Sequence, residues 1–202
     1  MKSYINFFEL MSEYESYKNG QDFILPNVNF ISENNKLYFN PNAKPASPNL
    51  VAIYNVTDTS RESTLAGQYS WKYIESIIID GIVEDDIYYQ FDTTGEHTVE
   101  FVLSDKEFID FDFFNNVWPN DIVKVEIPSS ITKINATGFV VALRGIKEVI
   151  FHSMTAPVIT NGPLLNPSMY GGSPTGVLKY PKGADYSEII ATLPEGWTAV
   201  EF

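Results

Sequence analysis

A block of apolar residues returns at nearly constant spacing in the second half of this chain. Ile122, Val125 and Ile127 recur as Ile146, Val149 and Phe151, each 24 residues later. Ile109 and Phe114 recur as Ile134 and Phe139, each 25 residues later. A period of that size fits one strand plus one return segment of a solenoid, wound so that like positions stack. Such a unit cannot bury its apolar face alone, and it serves more often as a stacked binding scaffold than as a catalytic site.

The chain has 202 residues, enough for one large or two small domains with a real core. It carries 14 Phe, 12 Tyr and 3 Trp, most of them expected in the core or on contact surfaces. With 26 acidic against 13 basic side chains, the net charge is −13. A general nucleic-acid binder needs a cationic face to displace phosphate counterions, so no nucleic-acid partner is expected. The acidic balance also discourages binding to anionic membranes. Cysteine is absent, which excludes disulfides, iron–sulfur clusters and thiolate catalysis. No segment reaches the ~20 apolar residues of a membrane span. The first residues lack the unbroken apolar run of a signal peptide, because Asn6, Glu9, Ser12 and Glu13 interrupt it. The expectation is a chain made and folded in a cytoplasm.

Ser3 as N-cap, an apolar stripe of Tyr4, Phe7, Phe8, Met11 and Tyr14, and Gly20 as stop predict a short amphipathic helix over 4–18. That stripe docks either on the chain's own sheet or on another subunit. Val28 and Phe30, then Leu37 and Phe39, alternate around Asn34-Asn35 and predict a hairpin. Pro41, Pro45 and Pro48 make the next segment a linker or loop. Strands are predicted at 50–56, 73–80, 87–91 and 97–103, with a turn at Asp80-Gly81, as in a small β-sandwich-like module. The repeat region follows over about 104–160. Val177–Tyr180 reads as a strand, Pro181-Lys-Gly183 as a turn and 185–192 as a short helix. Trp197, Val200 and Phe202 are placed to close the last exposed face.

The chemistry-bearing residues are sparse. His97 and His152 are the only histidines, and neither has a partner at metal-ligand spacing. Both read as ordinary surface or half-buried side chains. Glu84-Asp85-Asp86 and Asp110-x-Asp112 lack the ligand count and bend glycine of a calcium loop, and read as solvated edges. Pro174 deprives Gly171-Gly172-Ser173 of a donor that an anion nest would use. Asn55 and Asn135 match the glycosylation sequon, which matters only in a eukaryotic host. No catalytic residue, metal ligand or cofactor site is nominated, and the expected protein is not an enzyme.

Tyr54–Ser60, Ile77–Val83 and Asp92–Phe101 resemble the β-rich module that precedes BspA-type leucine-rich repeats. Ile127–Ile134 resembles the repeat itself, and Thr155-Ala-Pro157, Leu178–Gly183 and Gly196-Trp197 resemble that family's C-terminal cap. Asn135 stands where the repeat usually has Gly, so the array implied is only one and a half to two units long. The N-terminal stretch Glu13–Gly20, with Leu25–Val28 and Leu37–Pro41, resembles the opening of virion proteins from crAss-like phages. There such openings precede fibre or decoration domains.

Together these features imply a mainly β chain in three parts. Residues 1–49 form a helix and hairpin for attachment and oligomerisation, 50–103 a β-sandwich-like module, and 104–202 a short, degenerate leucine-rich-repeat unit with a C-terminal cap. The expected function is that of a phage head fibre or capsid decoration subunit, assembled in the host cytoplasm and carried on the virion. Its expected partners are capsid or other virion proteins and copies of itself, a trimer being the first guess. A host-surface glycan or protein is a further expected contact. Tyr4, Phe7, Phe8, Met11 and Tyr14 are the expected interface residues. The alternatives are an exported bacterial adhesin with the same repeats, and a tail fibre or polysaccharide-cleaving enzyme subunit.

Overall fold

The computed structural model describes residues 30–33, 36–39, 49–67, 70–104, 108–109, 114, 121–136, 145–165 and 175–202. The chain divides into two units, Met1–Ala46 and Ser47–Phe202. In the first, β1 (Phe30–Glu33) and β2 (Lys36–Phe39) pair antiparallel, from Phe30 with Phe39 to Glu33 with Lys36. This is the hairpin expected around Asn34-Asn35. The helix expected at 4–18 lies outside the described residues.

The second unit is built on β3 (Leu50–Val56), β4 (Ser63–Thr64), β5 (Ile74–Ile79), β6 (Ile82–Glu84), β7 (Tyr88–Tyr89), β8 (Gly95–Leu103), β9 (Phe108–Ile109) and β10 (Asp121–Ile127). It continues through β11 (Lys133–Asn135), β12 (Glu148–Phe151), β13 (Val158–Thr160), β14 (Gly176–Tyr180), one helical turn α1 (Ser187–Ile190) and β15 (Trp197–Glu201). The chain is thus mainly β. Eight strands form a mixed sheet in the order β15-β14-β12-β10-β3-β8-β5-β6. β9, β11 and β13 form a second ladder, and β4 pairs with β7.

The sequence period becomes strand register. Val125 of β10 pairs with Val149 of β12, and Ile127 with Phe151, in a parallel ladder offset by the 24 residues seen in the sequence. Ile109, Ile134 and Ile159 align across β9, β11 and β13. Each turn of chain therefore places one strand in the large sheet and one in the small ladder. Ile122, Val125, Ile127, Ile134, Val149 and Phe151 fill the space between and are buried. Phe139 lies outside the described residues.

A division at 103/104 is not where the backbone divides. β3 pairs antiparallel with β8 on one side and with β10 on the other, so one sheet crosses that boundary. Leu50, Ala52, Tyr54 and Val56 alternate onto the face that also holds Val99 and Phe101, and they join a single core with Val125 and Val149. Separate modules would each have to bury that face alone.

The C-terminal end is a strand in the sheet. β15 runs parallel to β14, with Trp197 opposite Gly176. A Cβ on Gly176 would stand 2.5 Å from the Trp197 ring, so glycine is required for the indole to lie flat there. Trp197 is buried, whereas Val200 and Phe202 are 46% and 57% exposed. Of the three residues expected to close the last face, only Trp197 is turned inward.

Candidate functional site

The outer face of the large sheet carries rows of charged side chains. In one row Lys179, Ile150, Glu126, Val51 and Glu100 stand in register across β14, β12, β10, β3 and β8. Ile150 and Val51 are buried although they lie on this face. Flanking Lys and Glu stems cover aliphatic neighbours while their heads stay wet. In the next row Glu148 stands beside Lys124.

Alternating charges link these rows. His152 Nε2 donates to Glu126 Oε2 at 3.0 Å. Lys124 Nζ lies 2.7 Å from Glu126 Oε1 and 3.7 Å from Glu148 Oε2, and Lys179 contacts Glu148 Oε1. The hydrogen bond from His152, helped by Lys124 and opposed by partial burial, holds the Glu126 carboxyl down at about 2. Partial burial disfavours the Lys124 cation, but the hydrogen bond to Glu126 and the two carboxylates outweigh it and raise its pKa. The ladder is self-neutralising and ties β10, β12 and β14 together. That is a structural role.

His97 sits in a more suggestive setting. Its Nδ1 is 2.6 Å from Asp80 Oδ2, and Nε2 is 3.3 Å from the Thr93 hydroxyl. An acid, a histidine and a hydroxyl in that order resemble the arrangement that activates a nucleophile. The nearer partner of Nε2 is the Thr93 carbonyl oxygen at 3.0 Å, which can only accept. The ring is thus held between the Asp80 carboxylate on one side and the Thr93 main chain on the other. The cluster acts as a brace. Asp80 takes a left-handed φ of 49° and Gly81 one of 87°, and Asp80 Oδ1 accepts from Thr98 N at 2.9 Å. His97, lying 4.7 Å from the Phe91 ring, clamps that turn to β8.

Among the described residues no group of three or more His, Asp or Glu could hold a metal ion. Within Glu84-Asp85-Asp86, Asp86 Oδ1 accepts from Tyr88 N and shapes the turn into β7. Asp110, Asp112, Gly171, Gly172 and Ser173 lie outside the described residues, as do the expected interface residues Tyr4, Phe7, Phe8, Met11 and Tyr14.

One concavity stands apart from these clusters. A cleft of about 460 Å³ lies between β13 and α1. Val158, Ile159 and Pro157 line one side, Asp185, Glu188 and Ile189 the other. Sequence reading did not nominate it, because its walls come from segments about 30 residues apart and no motif joins them. No protein-family model, curated protein or solved structure matches the chain.

Proposed function

We propose that this chain is a non-enzymatic structural protein of a bacteriophage particle, a head fibre or capsid decoration subunit that presents a β module to the host surface. The observation that carries this reading is the division after Ala46. A subunit that attaches by one end and projects by the other needs two units that hold together separately. The amphipathic stripe of Tyr4, Phe7, Phe8, Met11 and Tyr14 supplies a docking face in the first unit. Residues 47–202 supply a cross-braced scaffold, in which the two histidines are tied up in structural contacts. The resemblance of the N-terminal stretch to crAss-like phage virion openings supports the same assignment. Closed cyclic symmetry favours a homo-oligomer, with a trimer as the first expectation.

The parallel 24-residue register favours a second reading, an exported cell-surface adhesin of BspA type. Both readings make the module a binding scaffold and differ in what the N-terminal unit grips. Fusing residues 1–46 to a fluorescent protein tests the first. The fusion is expected to bind purified phage particles, and Phe8→Asp with Met11→Asp is expected to release it. Failure of the parent fusion to bind particles contradicts the attachment role.

A further inference from the structure

We propose that the cleft beside β13 is a docking site for an extended segment of a partner protein, one carrying lysine or arginine between aliphatic residues. This inference is independent of the phage reading.

The small ladder stops short of a strand. β9, β11 and β13 stack in parallel, and among the described residues β13 is the last strand on its side. The chain begins to lay down one more rung: Thr155, three residues before β13, makes a parallel bridge with Asp185. It then turns away, because Ser187–Ile190 coil into α1. The cleft opens where the next strand, about 4.8 Å further on, would have lain. Val158 N donates to Thr132 O at 2.8 Å, so the backbone of Val158 faces β11. Alternation turns the N–H and C=O of Ile159 the other way, into the cleft that Ile159 lines. An outward donor and acceptor on an edge strand are the elements used to add a strand from another chain.

The lining selects the occupant. Val158 is 62% exposed, and with Pro157 and Ile159 it gives an aliphatic wall. The other wall carries Asp185 and Glu188, and the described lining residues include no Lys or Arg. The main-chain N–H of Ser187 and its side chain hold the Asp185 carboxyl below its ordinary range, so it is charged at neutral pH. The described lining residues include no aromatic ring, the stacking platform a sugar would use. The volume lies within the ordinary range of ligand pockets. An extended basic–aliphatic peptide matches each of these features: backbone to β13, aliphatic side chains to Val158, and a cation to Glu188 and Asp185.

The test uses the full chain and a fluorescein-labelled peptide, Val-Lys-Val-Arg-Val, followed by anisotropy. Saturable binding is expected, with a Kd on the order of 100 µM. Glu188→Lys should weaken it about tenfold or more. Ile159→Pro should do the same, since it removes the outward N–H and spares the ladder to β11. A peptide N-methylated on alternate amides should lose binding in one of its two registers, a readout that does not depend on any variant folding. The glutamate peptide Val-Glu-Val-Glu-Val should not bind. The proposal is overturned by no saturation at millimolar peptide, by equal binding of the acidic peptide, or by parent-like binding in both variants. Self-association that Ile159→Pro abolishes and the basic peptide leaves intact would assign the edge to a second copy instead and also overturn it.

Discussion

Glu126 and His152 are 26 positions apart in the chain and 3.0 Å apart in the fold. The 24-residue turn of chain brings β12 alongside β10, and His152 follows directly after β12. The same turn puts Glu148 next to Lys124. One winding period therefore sets both the apolar stacking inside and the charge alternation outside.

The pair should be visible in acid. The folded Glu126 carboxyl sits at about 2, below its ordinary 4.5. Its contribution is complete above pH 4.5 and disappears as pH falls through 2. A displacement of that size corresponds to at most about 3 kcal/mol, and a half-exposed network should deliver less, about 1–2 kcal/mol. Urea unfolding of the parent should lose that much between pH 5 and pH 2, as estimated from the linkage. Glu126→Gln should lack that part of the slope.

Gly176→Ala should loosen the C-terminal edge. The added methyl meets the Trp197 indole at 2.5 Å, and that ring is buried. Overpacking of this kind costs about 1–3 kcal/mol. Hydrogen exchange should show faster amide exchange in β14 and β15, with β3 and β8 unchanged. Parent-like protection at β15 would mean that the indole is free to move aside.

Tyr54 is fully buried, and its hydroxyl donates to the Leu65 carbonyl at 2.6 Å. Tyr54→Phe leaves that carbonyl without its donor in the core. The expected loss is about 1–2 kcal/mol, or a Tm lower by about 2–8 °C. Burial also pushes the phenol pKa well above its ordinary value of 10.0. A spectrophotometric titration should therefore leave this tyrosine un-ionised until the fold opens in alkali.

The Asp80 brace predicts an asymmetry between two substitutions. Asn tolerates a left-handed φ and keeps a side-chain oxygen for Thr98 N, so Asp80→Asn should cost under about 1 kcal/mol. Asp80→Ala loses both hydrogen bonds and strains the backbone at φ 49°, and should cost about 2 kcal/mol. Equal costs, read from urea midpoints, would contradict the brace. If His97 and Thr93 formed a nucleophile–base pair instead, the parent would hydrolyse p-nitrophenyl acetate and Thr93→Ala would abolish it. No such activity is expected.

Local pattern made much of this legible beforehand. Leu50–Val56 was readable from its own alternation, and the register of β10 on β12 from the recurrence of Val125 as Val149. The Asp80-Gly81 turn was readable because both residue types tolerate positive φ. What escaped depends on contacts between distant segments. Nothing local reveals that β3 lies between β8 and β10, which is why 50–103 read as a separate module. The Lys124–Glu148 pair could have been found by applying the 24-residue offset to polar positions as well as apolar ones. The cleft could not, because α1 interrupts a ladder whose continuation no residue pattern announces. Val200 and Phe202 were expected to close the last face because they are apolar, yet they lie exposed on and just beyond an edge strand.

The first unit is proposed to fasten this protein to a phage particle. Immunogold labelling and quantitative mass spectrometry of particles, purified from the host that carries this sequence, test it most directly. Many copies per particle are expected, on the capsid surface, stripped when residues 1–46 are deleted from the encoded chain. Particles devoid of the protein, with the protein recovered in the bacterial envelope, would contradict it.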